Sequence, residues 1–144
     1  MKDFVLCESE YRFMELIWEE TPINSTELTK KAKQSLGWKK STCYTVLKKL
    51  EDKGFVKNEK AQVSVLVQKE QVQRAQSDQL IEKRFGGSLP AFLNAFLKDR
   101  KLTAGEAREL HQLIEQAVPE EDSFEGIAKE SDLKKEDSEK GRKV

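Results

Sequence analysis

Apolar side chains recur along the first third of the chain at three- and four-residue intervals, the spacing that gathers them on one face of an α-helix. Tyr11, Met14, Ile17 and Trp18 form such a face between Glu10 and Glu20, with Ser9 placed to cap the helix and Thr21-Pro22 to end it. A second segment starts at Asn24, a capping residue followed three positions later by Glu27 as in a capping box, and turns Leu28, Ala32 and Leu36 inward before Gly37. The third segment runs from about Ser41 to Lys53. Its apolar residues Cys43, Val46, Leu47 and Leu50 make one narrow stripe, and Gly54 stops it. Two β-branched runs, "FVKN" and "VSVLVQ", then flank "EKAQ" and predict a small hairpin. Three helices followed by a hairpin is the element order of a winged helix-turn-helix, a mainly α fold.

The second half returns to helical spacing. Glu70 to Phe85 carries Val72, Ala75, Leu80 and Ile81, and Gly86-Gly87 breaks it. Ser88 caps a short helix with Pro90 in its first turn, and Thr103 with Glu106 forms a capping box for a last helix bearing Ala107, Leu110, Leu113, Ile114 and Ala117. Three small helices cannot hide all of this apolar surface in one chain. Phe92, Phe96, Leu97, Leu110 and Ile114 are therefore candidates for a homodimer interface, with docking on the first domain as the other use for them. Beyond Pro119 the chain has few large apolar residues and dense mixed charge, which reads as a disordered tail. The expected division is residues 1–69 for the winged helix-turn-helix, 70–118 for helical dimerisation and 119–144 for the tail.

Composition narrows the chemistry. No stretch approaches the ~20 apolar residues of a membrane helix, and the start is too short in apolar residues for a signal peptide, so a cytoplasmic setting without a membrane partner is expected. Cys7, Cys43 and His111 fall short of a structural zinc set, and no metal or cofactor is expected. No paired acids, nucleophile with base, or convergent ligands argue for an enzyme. The net charge of zero conceals an asymmetry: Lys30 to Lys60 holds ten lysines against three acids, while Pro119 to Val144 holds nine acids against six bases. Screening confines fields to about 8–10 Å, so the local basic patch attracts polyanions whatever the total.

The third helix decides between a wet surface and a nucleic-acid reader. Its outer face presents Lys40, Ser41, Thr42, Tyr44, Thr45, Lys48 and Lys49, and no glutamate lies between Gly37 and Leu50. A solvated helix usually interleaves acids at four-residue spacing. Short polar residues let a backbone enter the major groove, and lysines reach phosphates or guanine edges. Lys57 and Lys60 flank the hairpin tip, where a wing would touch the backbone of double-stranded DNA. The competing reading is a protein-interaction module that keeps the winged-helix fold without binding DNA.

"ESEYRFMELIWEE", "INSTELTKKA" and "WKKSTCYTVLKKLEDKGFV", continued through "FGGSLPAFLNAFLKD", resemble the penicillinase-repressor family over roughly residues 8 to 117. The resemblance implies a winged-helix domain, a helical dimerisation domain, and repression by a homodimer on a palindromic operator until a signal releases it. Copper-responsive members carry paired C-x-C motifs near the C-terminus, and this chain has no cysteine after Cys43. Members relieved by β-lactam signalling are cut at an Asn-Phe bond by a regulatory protease. The corresponding pair here is Ala95-Phe96, with Asn94 one place early, a departure that counts against cleavage at this bond. Release by a signal implies a regulatory protease or sensor protein as a further partner.

Overall fold

Local chemistry sets most of the helix boundaries in the computed structural model, which describes residues 3–122. The elements are α1 (Glu8–Glu19), β1 (Ile23–Asn24), α2 (Ser25–Leu36), α3 (Lys40–Asp52), β2 (Val56–Glu59), β3 (Gln62–Val65), α4 (Lys69–Phe85), α5 (Leu89–Leu97) and α6 (Ala104–Ala117), then one turn of 3-10 helix at Glu120–Asp122. The chain divides into two compact units after Asn94. The disordered tail expected from residue 119 lies, from residue 123 onward, outside the described residues.

Several expected caps are present. The Asn24 side chain accepts the Thr26 N–H at 2.9 Å. Gly37 closes α2 in the left-handed region at φ 69°, where a Cβ would be strained. The Ser88 hydroxyl accepts the Ala91 N–H at 3.1 Å, and Thr103 and Glu106 exchange bonds of 3.0 and 3.2 Å. Two expected caps differ. Helix α1 starts before Ser9, with Cys7 at the capping position and its N–H bonded to Glu10 Oε1 at 3.1 Å. Glu27 makes no capping box; its carboxylate instead meets Lys30 Nζ at 3.4 Å one turn along α2.

The first unit is a winged helix-turn-helix, as the element order predicted. Its sheet, however, has three antiparallel strands in the order β1-β3-β2. The hairpin pairs Val56 with Val65 and Glu59 with Gln62, while Ile23 and Asn24 pair with Val63 and Gln62 from the other side. A two-residue strand has no period that sequence can display, so β1 was not foreseen. The turn joining β2 to β3 places Lys60 and Ala61 at φ 51° and 65°, the mirror-image geometry that suits hairpin twist but normally draws glycine or asparagine. The Ala61 carbonyl accepts the Ser25 N–H at 2.8 Å, tying this turn to the start of α2.

One apolar cluster fills the unit. Phe13, Met14 and Ile17 of α1, Leu28 and Ala32 of α2, Cys43, Leu47 and Leu50 of α3, and Phe55, Val56, Val63, Val67 and Val72 all belong to it. Tyr11 and Trp18, expected inside, are half-buried at its edge, stacked edge-on at 5.5 Å, while Phe13 takes the central place. Their polar ends explain the displacement: the Trp18 indole N–H donates to the Val67 carbonyl at 2.9 Å, and the Tyr11 hydroxyl accepts from Gln73 at 3.3 Å. Helix α4 is rooted here by buried Val72 and by Lys69 against Glu15 at 3.5 Å.

Apolar positions beyond Val72 depart from the pattern. Leu80, expected on the inner face of α4, is 44% exposed, and Leu113, expected inside α6, is 61% exposed; Ala117 is exposed too. Neither α5 nor α6 has a buried residue. Helical period identifies an apolar face but does not say whether the same chain covers it.

Glu10 links two elements. One carboxylate oxygen accepts the Cys7 N–H, and the other meets Lys53 Nζ at 2.8 Å at the end of α3. Burial pushes its carboxyl up, but the hydrogen bonds from Lys53 and Cys7 together outweigh burial and hold the pKa below its ordinary value of 4.5. A folded-state pKa below the unfolded one stabilises the fold above the unfolded value and loses that effect as pH falls through the folded value. Glu10→Gln is expected to cost about 1–2 kcal/mol at neutral pH, with the gap to the parent narrowing below the ordinary carboxylate value of 4.5. Thermal unfolding of both proteins at neutral and acid pH checks this; a gap that widens on acidification would contradict it.

Candidate nucleic-acid interface

Helix α3 has two faces with separate duties. Cys43, Leu47 and Leu50 are buried on the inner one, with Val46 half-buried beside them. Burial pushes the Cys43 thiol pKa up, as fits a small core residue and not a reactive thiolate. Lys40, Ser41, Thr42, Tyr44, Thr45, Lys48 and Lys49 are all exposed on the other face, as a groove-reading helix requires. The structure therefore brings all seven sequence-derived candidates of α3 onto one solvent-facing surface.

Their side chains are not equally available. The Thr45 hydroxyl donates to the Ser41 carbonyl at 2.9 Å, which leaves its methyl and its acceptor lone pairs for a partner. Lys48 lies 3.2 Å from Asp52 and 3.9 Å from Glu51, both within α3. On the wing, Lys57 meets Glu59 at 2.9 Å, and exposed Lys60 occupies the hairpin turn. Lys40, Lys49 and Lys60 have no ion-pair partner among the described residues. Ion pairs between exposed groups are weak, roughly 0–1 kcal/mol, so a phosphate can compete for Lys48 and Lys57, though it must displace a carboxylate to do so.

Trp38, in the turn before α3, packs on the domain, the slightly favoured of its two sequence readings, the other being to brace the backbone of DNA. Its ring stacks on Phe13 at 5.2 Å and 19°, so the turn between α2 and α3 is fixed to the centre of the core. Stacking of this kind holds the start of α3 at a set height. The aromatic at the turn was visible in the sequence, but its partner was not.

The candidate pairing residues lie farther along. Phe92 packs edge-on against Phe85 at 5.3 Å and is half-buried. Phe96 is 46% exposed with the Arg100 guanidinium 4.3 Å over its ring. Leu97 and Leu110 are half-buried, and Ile114 is exposed. Leu113, Leu102 and Leu89 are also exposed apolar residues and were not among the candidates. Ala95 and Phe96, the pair at the bond considered for cleavage, are both exposed and inside helical α5. Among the described residues no helix is long and apolar enough to cross a membrane, and no three potential metal ligands group together.

Comparison with known proteins places these features in a lineage. The penicillinase repressor family profile matches residues 6–116. The penicillinase repressor of Bacillus licheniformis is 25% identical over 115 residues, which span 77% of this chain and 90% of that one.

The two faces of α3 separate stability from surface chemistry. Leu50→Ala is expected to lower unfolding stability by about 2–5 kcal/mol, and Lys49→Ala to change it by less than about 0.5 kcal/mol. Urea unfolding monitored by circular dichroism distinguishes them; equal losses would mean that the outer face also carries packing.

Proposed function

The chain belongs to the penicillinase repressor family, a family of DNA-binding transcriptional repressors, and we propose that it acts as a homodimer that occupies a palindromic operator until a signal releases it. The observation that carries this reading is the outer face of α3, acid-free from Lys40 to Lys49 and wholly exposed above a buried stripe. In it, Lys40, Ser41, Thr42, Tyr44 and Thr45 enter the major groove, and Lys48, Lys49, Lys57 and Lys60 meet phosphates. Residues 1–69 read DNA and residues 70–118 pair the protomers.

Pairing has a physical motive on both sides of the contact. Helices α5 and α6 bury none of their own residues, and Leu113 and Ile114 together offer adjacent exposed apolar side chains on α6. A two-fold dimer matches a palindromic site and doubles the contacts made by one wing and one helix. Roughly six to eight phosphate contacts per dimer make affinity fall steeply with salt.

The releasing signal is a separate matter. Ala95-Phe96 lacks the asparagine of the family's cleaved bond and lies within α5, so a protease would have to unwind a helix to reach it. Release by another route fits these residues better.

Two measurements test the reading. Thr45→Ala should weaken binding to the operator footprinted on the promoter of its own gene by about 1–3 kcal/mol and relax specificity. An unchanged ratio between operator and random duplex would remove Thr45 from the reading face. The double substitution Leu113→Glu with Ile114→Glu should convert the dimer to a monomer in analytical ultracentrifugation while leaving the circular dichroism spectrum intact. A persistent dimer would place the interface elsewhere.

A further inference from the structure

The lysines that make the first unit basic fall into two groups once their neighbours are known. Lys30, Lys31, Lys48, Lys53 and Lys57 each lie against a carboxylate. Lys33, Lys39, Lys40, Lys49 and Lys60 have no such partner among the described residues. Three of the unpartnered five converge. Lys33 from the last turn of α2 and Lys39 and Lys40 from the start of α3 line one open groove of about 490 Å³, together with Lys30, whose ammonium is paired with Glu27. Its wall includes Trp38, which is held by stacking on Phe13 and so does not collapse into the groove. The first turn of α3 bears no acid, and the capping residue Lys39 makes no side-chain hydrogen bond to the helix. By contrast, Lys48 and Lys53 near the far end of α3 are matched by Asp52, Glu51 and Glu10.

We propose that this groove is the main phosphate anchor of the protein: a backbone phosphate of double-stranded DNA seats among Lys33, Lys39 and Lys40, and fixes how the start of α3 enters the major groove. The inference rests on the DNA-binding reading and changes its electrostatics, because it shifts Lys40 from groove contact to phosphate and places a stronger backbone contact at the turn between α2 and α3 than at Lys48 or Lys57. Charge complementarity selects the occupant. Three lysine side chains without counter-ions among the described residues favour a polyanion, and a groove open to solvent admits a continuous sugar–phosphate chain. A phosphate at this place lies at the first turn of α3, the start of the reading helix, so it sets register without reading sequence. Lys48 and Lys57 contribute less, because binding phosphate there first breaks an existing ion pair.

The test uses the full-length protein with two duplexes, the footprinted promoter site and a random sequence, titrated at several salt concentrations. Lys33→Gln and Lys39→Gln should each weaken both duplexes by the same factor and make the plot of log K against log salt shallower by about one per protomer. Lys33→Arg, which keeps the charge, should retain the parent slope. Lys48→Gln should alter the slope less than either. If Lys33→Gln and Lys39→Gln match the parent in affinity and slope while the parent binds DNA, the anchor is refuted and the DNA-binding reading stands. If Lys48→Gln has the larger effect, the anchor is refuted as well. A parent protein that binds neither duplex overturns both.

Discussion

Helix α3 is held to the molecule by three buried side chains, Cys43, Leu47 and Leu50, and this sparse attachment governs what the rest of the first unit must do. A stripe so narrow leaves most of the helix circumference free for polar and basic residues. It also supplies little orientation by itself, since one row of contacts allows a helix to roll. The surrounding elements remove that freedom. Trp38 stacked on Phe13 fixes one end, and the Lys53–Glu10 ion pair fixes the other to α1. The hydrophobic contacts supply adhesion, and the two flanking contacts supply the angle. The tied ends help keep a helix that presents seven exposed polar and basic residues in one orientation.

How much of this could be read from sequence depended on the range of the interaction. Caps act over two or three residues, so Asn24, Ser88, Gly37 and the Thr103–Glu106 pair were legible as letters. Glu27 looked like a cap by the same spacing, but Lys30 was equally near and took its carboxylate. The seven outer residues of α3 were legible because each is exposed where helical period puts it. Phe13 was missed because Tyr11, Trp18 and Phe13 are all large and aromatic. Which of them goes to the centre depends on the polar groups of the other two finding partners at Val67 and Gln73, distant in sequence. Strand β1 is too short to have a pattern and exists because β3 offers it an edge.

The apolar half of the molecule shows a different limit. Period predicted the inner faces of α4 to α6, yet Leu80, Leu113 and Ile114 remain exposed in the single chain. Sequence reports which side of a helix dislikes water; it does not report whose surface covers it. Charge behaves in a related way. Ten lysines between positions 30 and 60 suggested one broad basic field. The carboxylates placed among them divide that field into matched and unmatched cations, and composition alone counts both as equal.

The hairpin tip adds a mechanical property. Lys60 and Ala61 both occupy the left-handed region, where side chains other than glycine and asparagine are strained by roughly 1–3 kcal/mol. Neither residue prefers this shape, so the loop does not choose it. The pairing of β2 with β3 and the bond from the Ser25 N–H to the Ala61 carbonyl impose it from outside. The wing is therefore spring-loaded and clipped to the base of α2, not a loose arm searching for a surface. Its tip is ordered before contact, so Lys60 meets any partner at a set distance from α2, with little conformational entropy left to lose.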